Sequence, residues 1–262
     1  MALDLCMITL PDDPELVLED IQRAFTELWP QSPAPTAGEG DGNAISFQIG
    51  EASIVLAKMP APIPWEDLEG PCETSIFWPD AADELRLHQT HLIVTASADV
   101  QAVPLASLLT QAAAAVLKSM PQAQGVYWGR ACLLIPRDLF VEMATELLPD
   151  EIPYYLWVDV RVGMQDETSC SGFTTGLSAL GHKEIECENA AEPPGELRER
   201  LYALAGYVLE KGAVIRDGDT VGEDHQERIR VVFAKSSFGH EGTVMRLVYE
   251  KPSPAKPWWK LW

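Results

Sequence analysis

The stretch His91-Leu-Ile-Val-Thr-Ala-Ser97, followed by Val103-Pro-Leu-Ala-Ser-Leu-Leu-Thr-Gln-Ala-Ala-Ala-Ala-Val-Leu-Lys118, sets a β-branched run directly before an Ala/Leu-rich one. Residues 90–97 are too short for a stable helix and read as a buried strand. Residues 103–118 have the composition and length of a helix. A strand that feeds a helix through a short polar link is a common building unit of mixed folds.

Working outward, residues 5–10 read as a strand, and Pro11-Asp12-Asp13-Pro14 as a helix opening, its carboxylates placed to cap. Leu16, Leu18, Ile21, Phe25 and Leu28 recur at helical spacing until Pro30. A Pro/Gly-rich loop is expected over 31–43. Strands over 44–49 and 52–58 flank the tight turn Gly50-Glu51. Residues 60–87, with their prolines, tryptophans and acids, read as irregular. Further on come strands over 131–135, 154–163, 183–187, 213–216, 228–234 and 243–250, and helices over 138–148 and 194–210. The expected class is α+β, with mixed or antiparallel sheets and helices packed on one face.

Two segments echo earlier ones. Cys6-Met-Ile-Thr-Leu-Pro-Asp resembles Cys132-Leu-Leu-Ile-Pro-Arg-Asp, each before a helix. The unit at 91–118 resembles His182-Lys-Glu-Ile-Glu-Cys with a helix ending Val208-Leu209-Glu210-Lys211, at an offset of about 92 residues. The organisation expected is two related α+β halves, 1–122 and 123–262, the first enlarged by loops at 31–43 and 60–87. The alternative is chance recurrence, because strand–Pro–helix units are common.

The 262 residues carry 40 Asp plus Glu against 19 Lys plus Arg, a net charge of −21. Residues 1–86 hold 17 acids and 3 bases, so two thirds of the excess sits in the first third of the chain. Phosphate backbones and anionic lipid attract clustered Lys and Arg, so direct nucleic-acid or membrane binding is not expected. A basic protein partner is, since such a field accelerates its approach. The competing explanation is that the charge serves solubility alone.

Chemistry-bearing motifs are sparse. Cys6, Cys72, Cys132, Cys170 and Cys187 are odd in number and widely spaced, which fits reduced core thiols better than disulfides or zinc. His88 and His91 lie three apart at the head of a strand, where their rings point to opposite faces, so no metal is expected there. Ser169-Cys170-Ser171-Gly172 lacks a recognisable base, and Gly176-Leu-Ser-Ala-Leu-Gly181 has its second glycine one residue too late for an esterase elbow. No phosphate loop, dinucleotide fingerprint or zinc-protease motif occurs. No catalytic residue, cofactor or metal is therefore expected. A hydrolase whose site gathers His182 or His240 with carboxylates in space is the minority reading.

Two acidic clusters stand out as partner-binding candidates. Trp65, Glu66, Asp67 and Glu69 join an aromatic to three carboxylates, though Trp65 packing its own loop is an equally good reading. Asp217, Asp219, Glu223 and Asp224 form an acidic, Gly-containing turn without calcium-loop spacing, which a partner's Arg could engage. Pro257-Trp-Trp-Lys-Leu-Trp262 is expected to dock on its own fold or on a neighbour, because three exposed tryptophans invite aggregation. The first residues, Met1-Ala-Leu-Asp-Leu-Cys6, lack the basic region of a signal peptide, and no run is long enough to cross a bilayer. A cytoplasmic location follows.

Gly125-Val-Tyr-Trp-Gly129, Thr174-Thr-Gly-Leu-Ser-Ala-Leu-Gly-His-Lys-Glu-Ile-Glu186, Asp217-Gly-Asp-Thr-Val-Gly222 and Val244-Met-Arg-Leu-Val-Tyr-Glu250 together resemble a bacterial domain-of-unknown-function family, number 4261 of that series. The core of the resemblance spans about 170–250. Ile63-Pro-Trp-Glu-Asp-Leu68 and His91-Leu-Ile-Val-Thr95 extend it more weakly. None of these motifs is catalytic. Some relatives resemble immunity proteins encoded beside nuclease toxins of type VI secretion systems. The resemblance thus implies a non-enzymatic inhibitor of a cognate toxin. A binding or scaffold module without a toxin is the alternative, and neither partner identity nor oligomeric state can be read from the sequence.

Overall fold

The structure, a computed structural model, describes residues 2–212, 214–222 and 228–249. It resolves into two compact units, residues 1–159 with 175–181, and residues 160–174 with 182–262.

The first unit is built on a seven-stranded sheet from β1 (Ala2–Leu10), β2 (Thr36–Gly40), β3 (Ala44–Ile49), β4 (Ala52–Met59), β5 (Thr90–Ala98), β6 (Gly125–Trp128) and β7 (Leu133–Pro136). Their order is β2-β3-β4-β5-β1-β6-β7, and every neighbouring pair is antiparallel. Alternation sets the inward face: Cys6 and Ile8 of β1 stand opposite Val94 and Leu92 of β5, and Leu56 of β4 opposite Val94, all fully buried. Helix α1 (Leu18–Leu28), helix α4 (Ala102–Ser119) and helix α5 (Arg137–Leu147) make the layer on this face, with α4 against β1, β4 and β5 and flanked by α1 and α5. Four consecutive alanines, Ala112 to Ala115, let α4 lie close to the sheet. By length and composition α4 could cross a membrane, so the expectation that no run is long enough is corrected. Eleven of its 18 residues are buried in this unit, as a core helix requires.

Several expectations are corrected here. Residues 60–87 are not irregular: they hold α2 (Trp65–Thr74) and α3 (Ala81–Leu85). Leu68, Cys72, Trp78, Ala81 and Leu85 pack with Tyr127 and Leu134, and Met7 joins them. Met7 and Ile8 are successive strand residues, so this cluster lies on the opposite face of the sheet from α4. The unit's helices therefore occupy both faces. The region 31–43 contains the edge strand β2, and α1 begins at Leu18 rather than near Pro14. The boundary expected at 122 also fails: β6 pairs with β1, β7 pairs with β6, and all three belong to the first unit.

The second unit has a six-stranded sheet, ordered β11-β12-β13-β10-β9-β8, from β8 (Asp159–Met164), β9 (Cys170–Thr175), β10 (Ile185–Ala190), β11 (Thr220–Val221), β12 (Ile229–Lys235) and β13 (Thr243–Tyr249). β10 runs parallel to β13, while β9–β10, β11–β12 and β12–β13 are antiparallel. Helix α6 (Pro194–Lys211) buries Leu197, Leu201, Ala205 and Val208 and meets β10. The α+β class with antiparallel and mixed sheets holds. Residues 214–216 are not a strand, residue 213 lies outside the described residues, and the strand falls at 220–221. Of 154–163, only the part from Asp159 is extended, and Tyr154–Leu156 form a 3₁₀ turn.

The internal echo survives locally. α4 and α6 are both 18 residues long, begin at 102 and 194, and each follows a strand. Their strands sit differently, however, since β5 is flanked by two antiparallel neighbours and β10 by one parallel and one antiparallel. The strand–helix pair β7–α5 belongs to the first unit, so it does not head a second half.

Candidate functional site

The Trp65 cluster is helical. Pro64, extended at φ −52° and ψ 132°, turns the chain into α2, and Glu66 and Asp67 in the first turn suit the positive end of the helix. Leu68 and Cys72, four apart, bury the inner stripe. Trp65 is half-buried against the cluster beneath α2 and α3. Its indole Nε1–H donates to Glu69 Oε1 at 3.2 Å, and the Arg86 guanidinium lies 4.1 Å from its ring centre. This ring therefore anchors the helix. The carboxylates of Glu66, Asp67, Glu69 and Glu73 are exposed, four acids without a base in ten residues.

Asp217 and Asp219 lie in the second unit and are exposed. Each uses one carboxylate oxygen to build its own turn. Asp217 accepts from Phe233 N–H at 2.7 Å, and Asp219 from Arg216 N–H at 2.7 Å. An acidic turn before a strand is what forms, with Gly218 at φ +88°. Glu223 and Asp224 lie outside the described residues, as does the tryptophan-bearing segment 257–262. The two acidic clusters thus sit on different units.

The sequence reading missed a network inside the second unit. Glu186 of β10 has 0% of its surface exposed. It accepts from the Ser236 hydroxyl, from Ser237 N–H at 2.9 Å and from His240 Nδ1 at 3.1 Å. Ser236 Oγ in turn accepts from the Phe238 and His240 amides. Burial pushes the Glu186 carboxyl up, but these three donors outweigh it and hold it below the ordinary carboxylate range. Phe238 stacks on Phe173, centroids 4.9 Å apart, with His240 edge-on to the same ring. Two residues further along β10, Glu188 pairs with Arg246 at 3.0 Å and accepts from Ser237. The hairpin loop 236–242 is thereby tied to β10. Deeper in, Thr174 donates to buried Glu184 at 2.7 Å, and Arg200 grips Glu192, both only about a tenth exposed. The available signal was Glu184-Ile-Glu186 itself, two carboxylates leading into an otherwise apolar strand start, which demand partners once buried.

His240 does meet a carboxylate, as a spatially assembled hydrolase would require. Every donor around Glu186 serves the loop, however, and the pair acts as an anchor. Among the described residues no group of three or more His, Cys, Asp or Glu is arranged to hold a metal. All five cysteines are free. Burial pushes the thiols of Cys6, Cys72 and Cys170 up, and that of Cys187 to about 12, far from nucleophilic ionisation.

Gly125 and Gly176, both in the quoted motifs, are explained by close approach. A Cβ on Gly125 would sit 2.4 Å from the Trp78 ring and from Ile135 O. One on Gly176, at φ +119°, would sit 2.3 Å from Trp157 O. The motifs that carry the resemblance are thus packing and turn features.

Residues 173–248 match the family model described as Domain of unknown function (DUF4261). No curated protein and no solved structure matches the chain. The matched segment contains the Glu186 network and the Asp217 turn, whereas α2 and the seven-stranded sheet, up to β7, precede it.

Proposed function

We propose that the protein is a bacterial immunity protein, which binds a cognate toxin of a type VI secretion system and occludes it without catalysis. The observation that carries this reading is the distribution of charge. The first unit holds 24 acids and 6 bases, a net −18 of the chain's −21. Four of those six bases are already engaged: Arg23 with Asp20, Lys58 with Asp13, Arg130 with Asp4 and Arg137 with Asp138. A fifth, Arg86, lies over Trp65. The surplus carboxylates have few cations of their own unit left to meet.

A nuclease must present Lys and Arg to phosphate, and an acidic protein can cover that surface. The exposed carboxylates of α2 suit such a role, and the field around them speeds encounter in the cytoplasm, where nucleic acid is the target. Co-expression with the product of the adjacent gene is expected to rescue growth and to yield a complex that copurifies and weakens as salt rises. Absence of binding at low ionic strength would sink the reading.

A further inference from the structure

The face of the seven-stranded sheet opposite α4 is covered by α2 and α3 only toward β6 and β7. Among the described residues it is open over β3, β4, β5 and the Leu3–Leu5 end of β1. Register aligns its outward positions in rows: Leu5 beside Thr95 beside Val55, and Leu3 beside Ser97 beside Ser53. Leu3 is 53% exposed, Val55 38% and Met59 38%. From Leu3 to Leu5, Ala44 to Gln48, Ser53 to Met59 and Ile93 to Ser97, no outward residue on this open face is charged. The charged residues of these strands, Asp4 and Lys58, point the other way. In a unit with 30 charged side chains, a bare field four strands wide is an exception that solubility does not explain.

We propose that this open face seats the uncharged, aliphatic centre of a basic protein's binding surface, with the α2 carboxylates as its charged flank. The proposal rests on the inhibitory reading above and names the surface it uses. Interfaces deplete charge at the centre and keep it at the rim. Four strands at about 4.8 Å spacing by five to seven residues span roughly 15 by 20 Å. That is less than the roughly 800 Å² each partner buries in a standard interface, so the face supplies the centre and α2 part of the border. α2 lies on this same side of the sheet, as Met7 beneath it shows. A second copy of the chain is the wrong occupant, because it would bring the net −18 of one unit against that of another.

Val55→Glu tests this against electrostatics alone, because it adds the charge a basic partner favours while placing it where water is to be excluded. With the full-length protein and the adjacent gene's product, Val55→Glu is expected to weaken the complex by about 100-fold or more, mainly through faster dissociation. Glu66→Lys/Asp67→Lys/Glu69→Lys is expected to slow association, with an effect that fades in high salt. Thr95→Glu, in the same row, serves as the second variant should Val55→Glu lower the melting temperature. If wild type binds and both row variants bind as tightly, the surface is wrong and the inhibitory reading stands. If wild type does not bind at low salt, both fall. A wild-type dimer that Val55→Glu converts to monomer in sedimentation would assign the face to a second copy and overturn the proposal.

Discussion

His88 and His91 share one task, which is to sew residues 61–63 to the sheet. Ile63 N–H donates to His88 Nε2 at 2.7 Å, so the His88 proton is on Nδ1 and donates to Leu85 O. His91 Nδ1–H donates to Ala61 O at 2.8 Å. The expectation of surface or loop-edge histidines holds for their place at the edge of the strand, but neither ring is a surface group, since both residues are buried. His88→Ala leaves the buried Ile63 amide without its acceptor and is expected to cost about 1–3 kcal/mol, read as a lower urea midpoint with an unchanged slope. Burial holds the imidazoles of His91 and His182 below their ordinary value of about 6.5. Their folded pKa values are depressed, so the unfolded chain takes up protons first as pH falls. Stability is complete above about pH 6.5 and declines below it. Glu186, also depressed, adds a second decline that begins near its ordinary value of about 4.3 and continues downward. Urea midpoints are expected to stay level from pH 8 to about pH 6.5 and to fall from there to pH 4. His91→Asn, which retains a donor for Ala61 O, should flatten the upper step. A midpoint that rises on acidification would contradict both assignments.

At the scale of elements, the hairpin between β12 and β13 is held to β10 chiefly by the buried Glu186 carboxylate, with Glu188 beside it. A Gln at position 186 keeps the shape and loses the charge that three donors converge upon. Glu186→Gln is expected to destabilise by about 2 kcal/mol, since hydrogen bonds to ionised acceptors are the stronger class. The loss should be local as well as global, with faster amide exchange at Ser237, Phe238 and His240. A double-mutant cycle with Ser236→Ala should give a coupling of about 1 kcal/mol, and an additive pair would mean that the clasp does not exist. Elements with a clear period were legible. β1, β3, β4 and β5 alternate, while α4 and α6 carry long helical runs between polar links. The others failed for physical reasons. Thr36-Ala-Gly-Glu-Gly40 has no large apolar side chain to alternate with its polar ones, and β6, four buried residues, is too short to show a period. α2 contains Gly70 and Pro71, which argue locally against a helix and are overridden by the burial of Leu68 and Cys72. The partners of Glu186 were illegible because they lie 50 to 54 residues away, across a sheet pairing that no local pattern encodes.

For the whole molecule, the decisive quantity is where charge sits. The sequence already placed the excess in its first third, and the fold sharpens this. β6, β7 and α5 join the first unit, and nearly all the surplus goes with them. That concentration has a cost independent of any partner, because carboxylates held together in a compact unit repel more than they do along an unfolded chain. Added salt screens this repulsion, with a Debye length that falls from about 30 Å at 0.01 M to about 10 Å at 0.1 M. Salt also weakens exposed pairs such as Arg23–Asp20, which acts in the opposite direction. Exposed pairs contribute roughly 0–1 kcal/mol each and are few, whereas eighteen unneutralised charges act over many separations, so repulsion dominates. The melting temperature of the free protein is therefore expected to rise by several degrees between 0.02 and 0.5 M sodium chloride, about 1 kcal/mol or more for a chain of this size. Binding a basic protein would do the same work at low salt, and the complex should melt higher than either component. Should the free protein melt lower in added salt, its carboxylates are locally compensated, and the field on which recognition of a basic partner depends is absent.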